Sequence, residues 1–175
     1  MAPFRYWISI FLALKLFALP MAYGAESLSA DGRFKDLGDG AVIDGKSGLA
    51  WAREDSWSKL GKCLTWQDAQ DYVKNLQTGG FSDWRLPTMG ELSEFPKGLV
   101  ERNKPNNIGA DYKDWKEKYP LLLDPIFGPV GAYWLWSSET DGPERAGFVD
   151  MRTGTRVGAD KKTCFVMGVR AVRAP

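Results

Sequence analysis

Residues 64–88 read LTWQDAQDYVKNLQTGGFSDWRLPT and set out a capped helix, a double-glycine stop and a short aromatic strand closed by proline. Thr65 caps a helix expected over Thr65 to Gln77, and Asp68, three residues on, completes a capping-box spacing. Trp66, Ala69, Val73 and Leu76 recur at helical spacing with Tyr72 beside them, so one face is built for burial. Gly79-Gly80 supplies the stop. Phe81 to Leu86 is then extended, because Pro87 biases Leu86 out of helical geometry. Thr88 and Glu91 repeat the capping-box spacing, and the second helix they open ends before Pro96.

Outward from this stretch, short apolar pieces dominate. Between Phe34 and Arg53, Val42-Ile43 and Leu49-Ala50-Trp51 are strand centres separated by Gly-Asp-Gly, Asp-Gly and Ser-Gly turns. Gly38, Asp39, Gly40 and Asp44 look like calcium ligands, but the ligand run of an EF-hand is absent and Asp-Gly is the ordinary hairpin pair. Prolines 96, 105, 120, 125 and 129 break up residues 96–131, an irregular insertion in which only Asp111 to Tyr119 could form a helical turn or two. Strands return at Tyr133 to Ser138 and Arg145 to Arg152, with a turn at Arg152 to Thr155 and a short strand after it. Phe165 to Arg173 reads as the last strand, alternating between two unlike faces.

The amino terminus reads as an export signal. Arg5 precedes an apolar run from Tyr6 to Leu19, Pro20 breaks it, and Ala22-Tyr23-Gly24 offers small residues for cleavage after Gly24. The run falls short of the ~20 apolar residues a spanning helix needs, and Lys15 interrupts it, so no stable membrane span is expected after cleavage, an uncleaved amino-terminal anchor being the alternative reading. Residues 25–33 read as a linker and 34–173 as one domain. Removing residues 1–24 takes away Arg5 and Lys15 and no acid. The 23 basic residues fall to 21 against 22 acidic, and the formal charge moves from +1 to −1. A nearly neutral domain has no whole-molecule attraction for nucleic acid.

Cys63 and Cys164, in a chain routed to an oxidising compartment, favour a disulfide over two free thiols. Histidine is absent, which excludes nucleophiles activated by histidine and histidine-ligated zinc or iron. No cofactor and no metal site is expected.

Several stretches together resemble the Lcl C-terminal domain family, named after the carboxyl-terminal domain of the Legionella collagen-like adhesin. They are Gly38-Asp-Gly-Ala-Val-Ile-Asp44, Ser47-Gly-Leu-Ala-Trp51, Leu64-Thr-Trp66, Gly80-Phe-Ser-Asp-Trp-Arg-Leu-Pro-Thr88 with Glu91-Leu92, Tyr133-Trp-Leu-Trp-Ser-Ser138, Gly147-Phe-Val-Asp150 and Val169-Arg-Ala-Val-Arg173. They run in order over most of residues 34–173. The resemblance implies an α+β, C-type lectin-like fold related to that of formylglycine-generating enzymes. Two helices, a mixed sheet whose first and last strands lie together, and a long irregular loop region carrying ligand contacts would follow. A bridge from Cys63 to Cys164 would tie the two ends of such a domain. The nearest text to a lectin calcium loop is Lys104-Pro105-Asn106, and a charged lysine cannot ligate calcium.

Trp51, Trp66, Trp84, Arg85 and Pro87 are assigned to the scaffold. Arg85 is expected to brace the strand through an internal carboxylate or backbone carbonyls rather than to grip a ligand's carboxylate or sulfate. Trp134 and Trp136 share a strand face and are expected to pack rather than to stack on sugars. The candidate ligand-binding residues are Asn106, Asn107, Trp115, Tyr133, Glu139, Asp141 and Arg145. Arg145, Arg152, Arg156, Lys161, Lys162, Arg170 and Arg173 make the carboxyl-terminal residues 145–173 basic, with Asp150 and Asp160 between them. A solvated hairpin surface is the preferred reading of these, and attraction of sulfated or uronic polysaccharides the alternative. The expected function is a non-catalytic recognition module, periplasmic or secreted, for an acidic or sulfated polysaccharide or an envelope protein. A structural accessory subunit of an envelope assembly is the second reading. An oxidase related to the formylglycine-generating enzymes is third and disfavoured, lacking a cysteine pair free to hold copper.

Overall fold

Turn chemistry builds the first sheet. The computed structural model describes residues 24–95, 123–128 and 131–174. In it β1 (Ser27–Leu28), β2 (Phe34–Asp36), β3 (Ala41–Asp44) and β4 (Ala50–Ala52) pair antiparallel in sequence order, and β9 (Val172–Arg173) adds beside β4. Asp36 accepts the Gly38 N–H at 2.9 Å and Asp39 the Ala41 N–H at 3.0 Å, so these acids shape the β2–β3 turn. Asp44 accepts from Lys46 N–H and the Ser47 hydroxyl, both at 2.9 Å, and turns the chain into β4.

Three helices follow. Asp55 caps α1 (Ser56–Leu60) through the Ser58 N–H at 2.9 Å. Both expected capping boxes are present, Thr65 with Asp68 opening α2 (Trp66–Asn75) and Thr88 with Glu91 opening α3 (Met89–Glu94). Between α2 and α3, Gly79 and Gly80 take φ of 62° and 72°, which carries the chain through the tight turn between Thr78 and Phe81. Arg85 then pairs with Val172 through two backbone hydrogen bonds of 2.9 and 3.0 Å.

The second sheet runs β7 (Thr155–Asp160), β6 (Arg145–Asp150), β5 (Trp134–Asp141), β8 (Met167–Gly168), with only the β5–β8 pair parallel. α3 packs on its face. A Cβ on Gly147 would fall 2.2 Å from Met89 Cε, so glycine there leaves room for the Met89 side chain of α3.

Two apolar clusters fill the interior. One gathers Phe34, Trp51, Phe95 and Phe127, with ring centroids 4.4–5.6 Å apart. The other holds Trp84, Trp136, Phe148 and Met167. Fully burying side chains of this kind stabilises by roughly 1.5–3 kcal/mol each. Of the indoles, Trp136 donates to Leu64 O at 2.9 Å, Trp66 to Ser137 O at 2.8 Å, and Trp84 to Thr78 O and Phe81 O at 3.2 Å, whereas the buried Trp51 N–H meets no acceptor among the described residues. Cys63 and Cys164 are bonded, tying the approach to α2 to the approach to β8 across 101 residues.

The α+β class holds, and several details depart from expectation. α2 ends at Asn75, because Leu76 is already extended and half-buried in the second cluster. The stretch read as a linker supplies edge strand β1, since backbone pairing needs no apolar side chain. α1 is a third helix where two were expected. The last strand lies beside β4 rather than beside the first. Phe165 to Arg173 is not one two-faced strand but two pieces in different sheets, with Met167 to Val172 buried on both sides. No helix among the described residues is long and apolar enough to cross a membrane. The apolar leader and most of the 96–131 insertion lie outside the described residues; Leu123 and Phe127 from its end are buried in the first cluster.

Candidate functional site

The expected ligand residues do not form one site. Asn106, Asn107 and Trp115 lie outside the described residues. Tyr133 is only 5% exposed, with the Arg152 guanidinium 5.4 Å from its ring centre, so it belongs to the core. Glu139, Asp141 and Arg145 come together at the outer end of the β5–β6 hairpin. Glu139 Oε1 accepts the Met89 N–H at 2.9 Å and so holds the start of α3. With Asp141 it borders a hollow of about 270 Å³ beside Arg156 and Val157.

Arg145 guards an edge. Lys161 N–H donates to Glu144 O at 2.8 Å, so odd-numbered residues of β7 turn their backbone toward β6 and even-numbered ones face the open side. Gly158 O therefore points outward, and Arg145 Nη2 donates to it at 2.7 Å.

The basic carboxyl-terminal surface is also not what was expected. Arg152 pairs with Asp150, Arg156 donates to Ser93 Oγ at 2.8 Å, and Lys161 donates to Pro143 O at 2.7 Å beneath the Trp66 ring. Arg173 binds Asp83 at 2.8 and 3.1 Å and lies 4.0 Å from the centre of the Phe81 ring. That pairing holds the Asp83 carboxyl below its ordinary range.

Arg170 departs furthest, being wholly buried. It donates to Ala52 O at 2.9 Å, to Arg53 O, and to Asp55 Oδ2 at 3.3 Å. The same Asp55 oxygen accepts the Ala132 N–H at 2.9 Å while its partner oxygen caps α1. One carboxylate thus joins β4's exit, α1, the entry to β5 and the final segment. Desolvation lowers the Arg170 pKa against the opposing pull of Asp55. No sequence motif announced this hub.

The brace expected of Arg85 is present. Its guanidinium meets Glu91 at 2.9 and 2.7 Å and Leu86 O at 3.1 Å, while Glu91 also accepts the Thr88 N–H at 2.7 Å. The hydrogen bond from Arg85 lowers the Glu91 pKa, burial opposing it. A second brace joins Arg33 to Asp44 at 2.9 and 2.8 Å and reaches Phe95 O and Glu94 O at the end of α3. Burial pushes Asp44 up, but the bonds from Arg33, Lys46 and Ser47 outweigh it and the pKa falls.

Among the described residues, besides a cleft of about 390 Å³ between β1 and the 123–126 segment, two clefts that flank α2 are open to a ligand. The first, about 470 Å³, lies between the β2–β3 turn and α2 and is lined by Asp36, Arg53, Glu54, Tyr72, Gln77 and Thr78 among others. Two ion pairs lie within it, Arg53 with Asp36 at 2.9 Å and Glu54 with Lys59 at 3.1 Å, and Asp39 adds an acid that accepts only the Ala41 N–H among the described residues. Burial, then the charges of Asp55 and Glu54, push the Tyr72 hydroxyl up to about 12, so it stays protonated. The second is a more open groove of about 570 Å³ between α2 and the 82–88 segment, with Val73, Trp84 and Leu86 as its apolar part. Both fall within the size range of ligand sites, about 300–1,000 Å³. Among the described residues no group of three or more Cys, Asp or Glu is placed to hold a metal.

Fold and clefts together define an α+β domain, closed by one disulfide, that presents hydroxyl, amide and charged side chains around two open hollows. Residues 40–173 match the Lcl C-terminal domain, and the chain belongs to that family. No curated protein matches it.

Proposed function

We propose that this chain is a non-catalytic, exported recognition module that binds an envelope or extracellular polysaccharide, acting in the periplasm or outside the cell. The observation that carries the reading is the pair of open clefts flanking α2, both of which include side chains able to meet sugar hydroxyls. Family membership supports it through the adhesin that gives the family its name. The Cys63–Cys164 bridge suits an oxidising compartment. A C-type lectin-like arrangement is part of the proposal, supported by a bridge that ties the start of the helical region to the closing strands. The disulfide also consumes both thiols that copper-dependent oxidase chemistry would require. Titration of the full chain against a glycan array at low ionic strength tests the reading. Binding to a defined class of glycan is expected, and no binding to any acidic or neutral glycan would overturn it.

One observation favours a protein partner instead. Phe165 is 66% exposed, packed at 5.8 Å against the half-buried Trp134, and such a ring suits a protein interface. A single stoichiometric co-purifying protein whose capture is lost in Phe165→Ser would support this second reading.

A further inference from the structure

The positive charge that can reach a ligand is not where the basic residues are densest. Among the described residues, only Lys62, Lys74 and Lys162 are cations with no acceptor for the side chain. Of these three, Lys74 lines the 570 Å³ groove. Around it Gln70, Ser82 and Ser138 also keep their side-chain polar groups unengaged by the fold. Arg85 is held rigidly by Glu91 yet leaves its Nε–H uncommitted. No carboxylate lines the groove. Of the acids nearby in sequence, Asp83 is bonded by Arg173, Asp71 accepts from Gln67, and Glu91 has both oxygens taken by Arg85 and Thr88.

We propose that this groove is a subsite for an anionic saccharide unit, a deepening that rests on the polysaccharide reading above. Lys74 and the Arg85 Nε–H take the carboxylate or sulfate. Gln70, Ser82 and Ser138 meet ring hydroxyls, and the Val73–Trp84–Leu86 wall faces the C–H side of the sugar. The first cleft suits an anion less well, because Asp36, Asp39 and Glu54 line it. The basic carboxyl-terminal segment suits it less well too, its cations other than Lys162 each being bonded to an oxygen of the fold.

The test measures binding of the full chain at low ionic strength to polygalacturonate, dextran sulfate and unsubstituted dextran. The variants are Lys74→Glu, Lys74→Arg and Lys162→Glu, each first checked for unchanged thermal unfolding. One or both anionic polymers are expected to bind in a salt-sensitive manner, and the preferred one separates carboxylate from sulfate recognition. Lys74→Glu should weaken that binding about tenfold or more, Lys74→Arg should retain it, and Lys162→Glu should leave it within about twofold. Anionic binding that survives Lys74→Glu, or binding of dextran alone, overturns the groove assignment while the polysaccharide reading stands. Binding of none of the three overturns both.

Discussion

The carboxyl-terminal segment and the groove beside α2 hold opposite arrangements of the same charge. From Arg145 to Arg173 cations are plentiful, but Arg145, Arg152, Arg156, Lys161, Arg170 and Arg173 each donate to a carboxylate, carbonyl or hydroxyl of the fold. Beside α2 cations are few, yet Lys74 has no internal acceptor and Arg85 keeps its Nε–H free. Density of charge in the sequence therefore measures bracing here, and availability is decided by what each head group already touches. A guanidinium suits the first role because its planar fork satisfies several oxygens at once. An ammonium on a solvated helix turn suits the second.

Arg170 marks the extreme of inward use, and breaking it should have the largest effect. Arg170→Ala strands Asp55 as a buried charge, at a cost of about 3–5 kcal/mol for a pair broken on one side. Urea unfolding should show the midpoint collapse, whereas Lys162→Ala, at an exposed position, should shift it by less than about 0.5 kcal/mol. Equal and small effects from both substitutions would erase the contrast.

Sequence reading recovered what is local and missed what is assembled. Thr65 with Asp68 and Thr88 with Glu91 were legible because a capping box is written in four consecutive residues. An even cysteine count and the expected export signal were enough for the bridge. Arg170 was illegible for a physical reason: the 165–173 stretch alternates as if one face met water, but Arg170 lies in a buried connection between β8 and β9 and its partner Asp55 is 115 residues away. Lys74 likewise reads as an ordinary solvated helix residue. Only the meeting of α2, the 82–88 segment and Ser138 turns it into the rim of a groove.

Acid should loosen the braces next. The carboxyls of Asp44, Asp150 and Glu91 all lie below their ordinary pKa, burial raising the two aspartates and hydrogen bonds from Arg33 and Arg152 outweighing it, while Arg85 lowers Glu91. Their stabilisation is complete above the unfolded-state values near pH 4 and is lost as pH falls through the depressed native ones. Urea midpoints should therefore be flat from pH 7 to about pH 5 and decline below about pH 4. A steeper loss above pH 5 would contradict these assignments.

Arg85 stands between the two regions, engaged on one side and open on the other. Arg85→Ala should cost about 1 kcal/mol, discounted from a buried charge-assisted bond because the side chain is 43% exposed. The same variant should soften the acid decline, since Glu91 would return toward its ordinary pKa. Losing anionic saccharide binding without any loss of stability would instead place Arg85 wholly on the outward side of the comparison.

Arg145 should matter least to stability and most to association. It contacts Gly158 O at an exposed position, so Arg145→Ala should change the unfolding free energy by less than about 0.5 kcal/mol. Its removal uncovers an outward carbonyl on β7, an edge strand that also carries the exposed Val157. Open edges of this kind recruit further strands, and charged side chains across them are a common protection. Light scattering over a concentration series should show the variant associating where the parent chain does not. Were both to behave alike at every concentration, the Arg145 contact would be incidental, and this one cation of the carboxyl-terminal segment would count with Lys74 as available to a ligand.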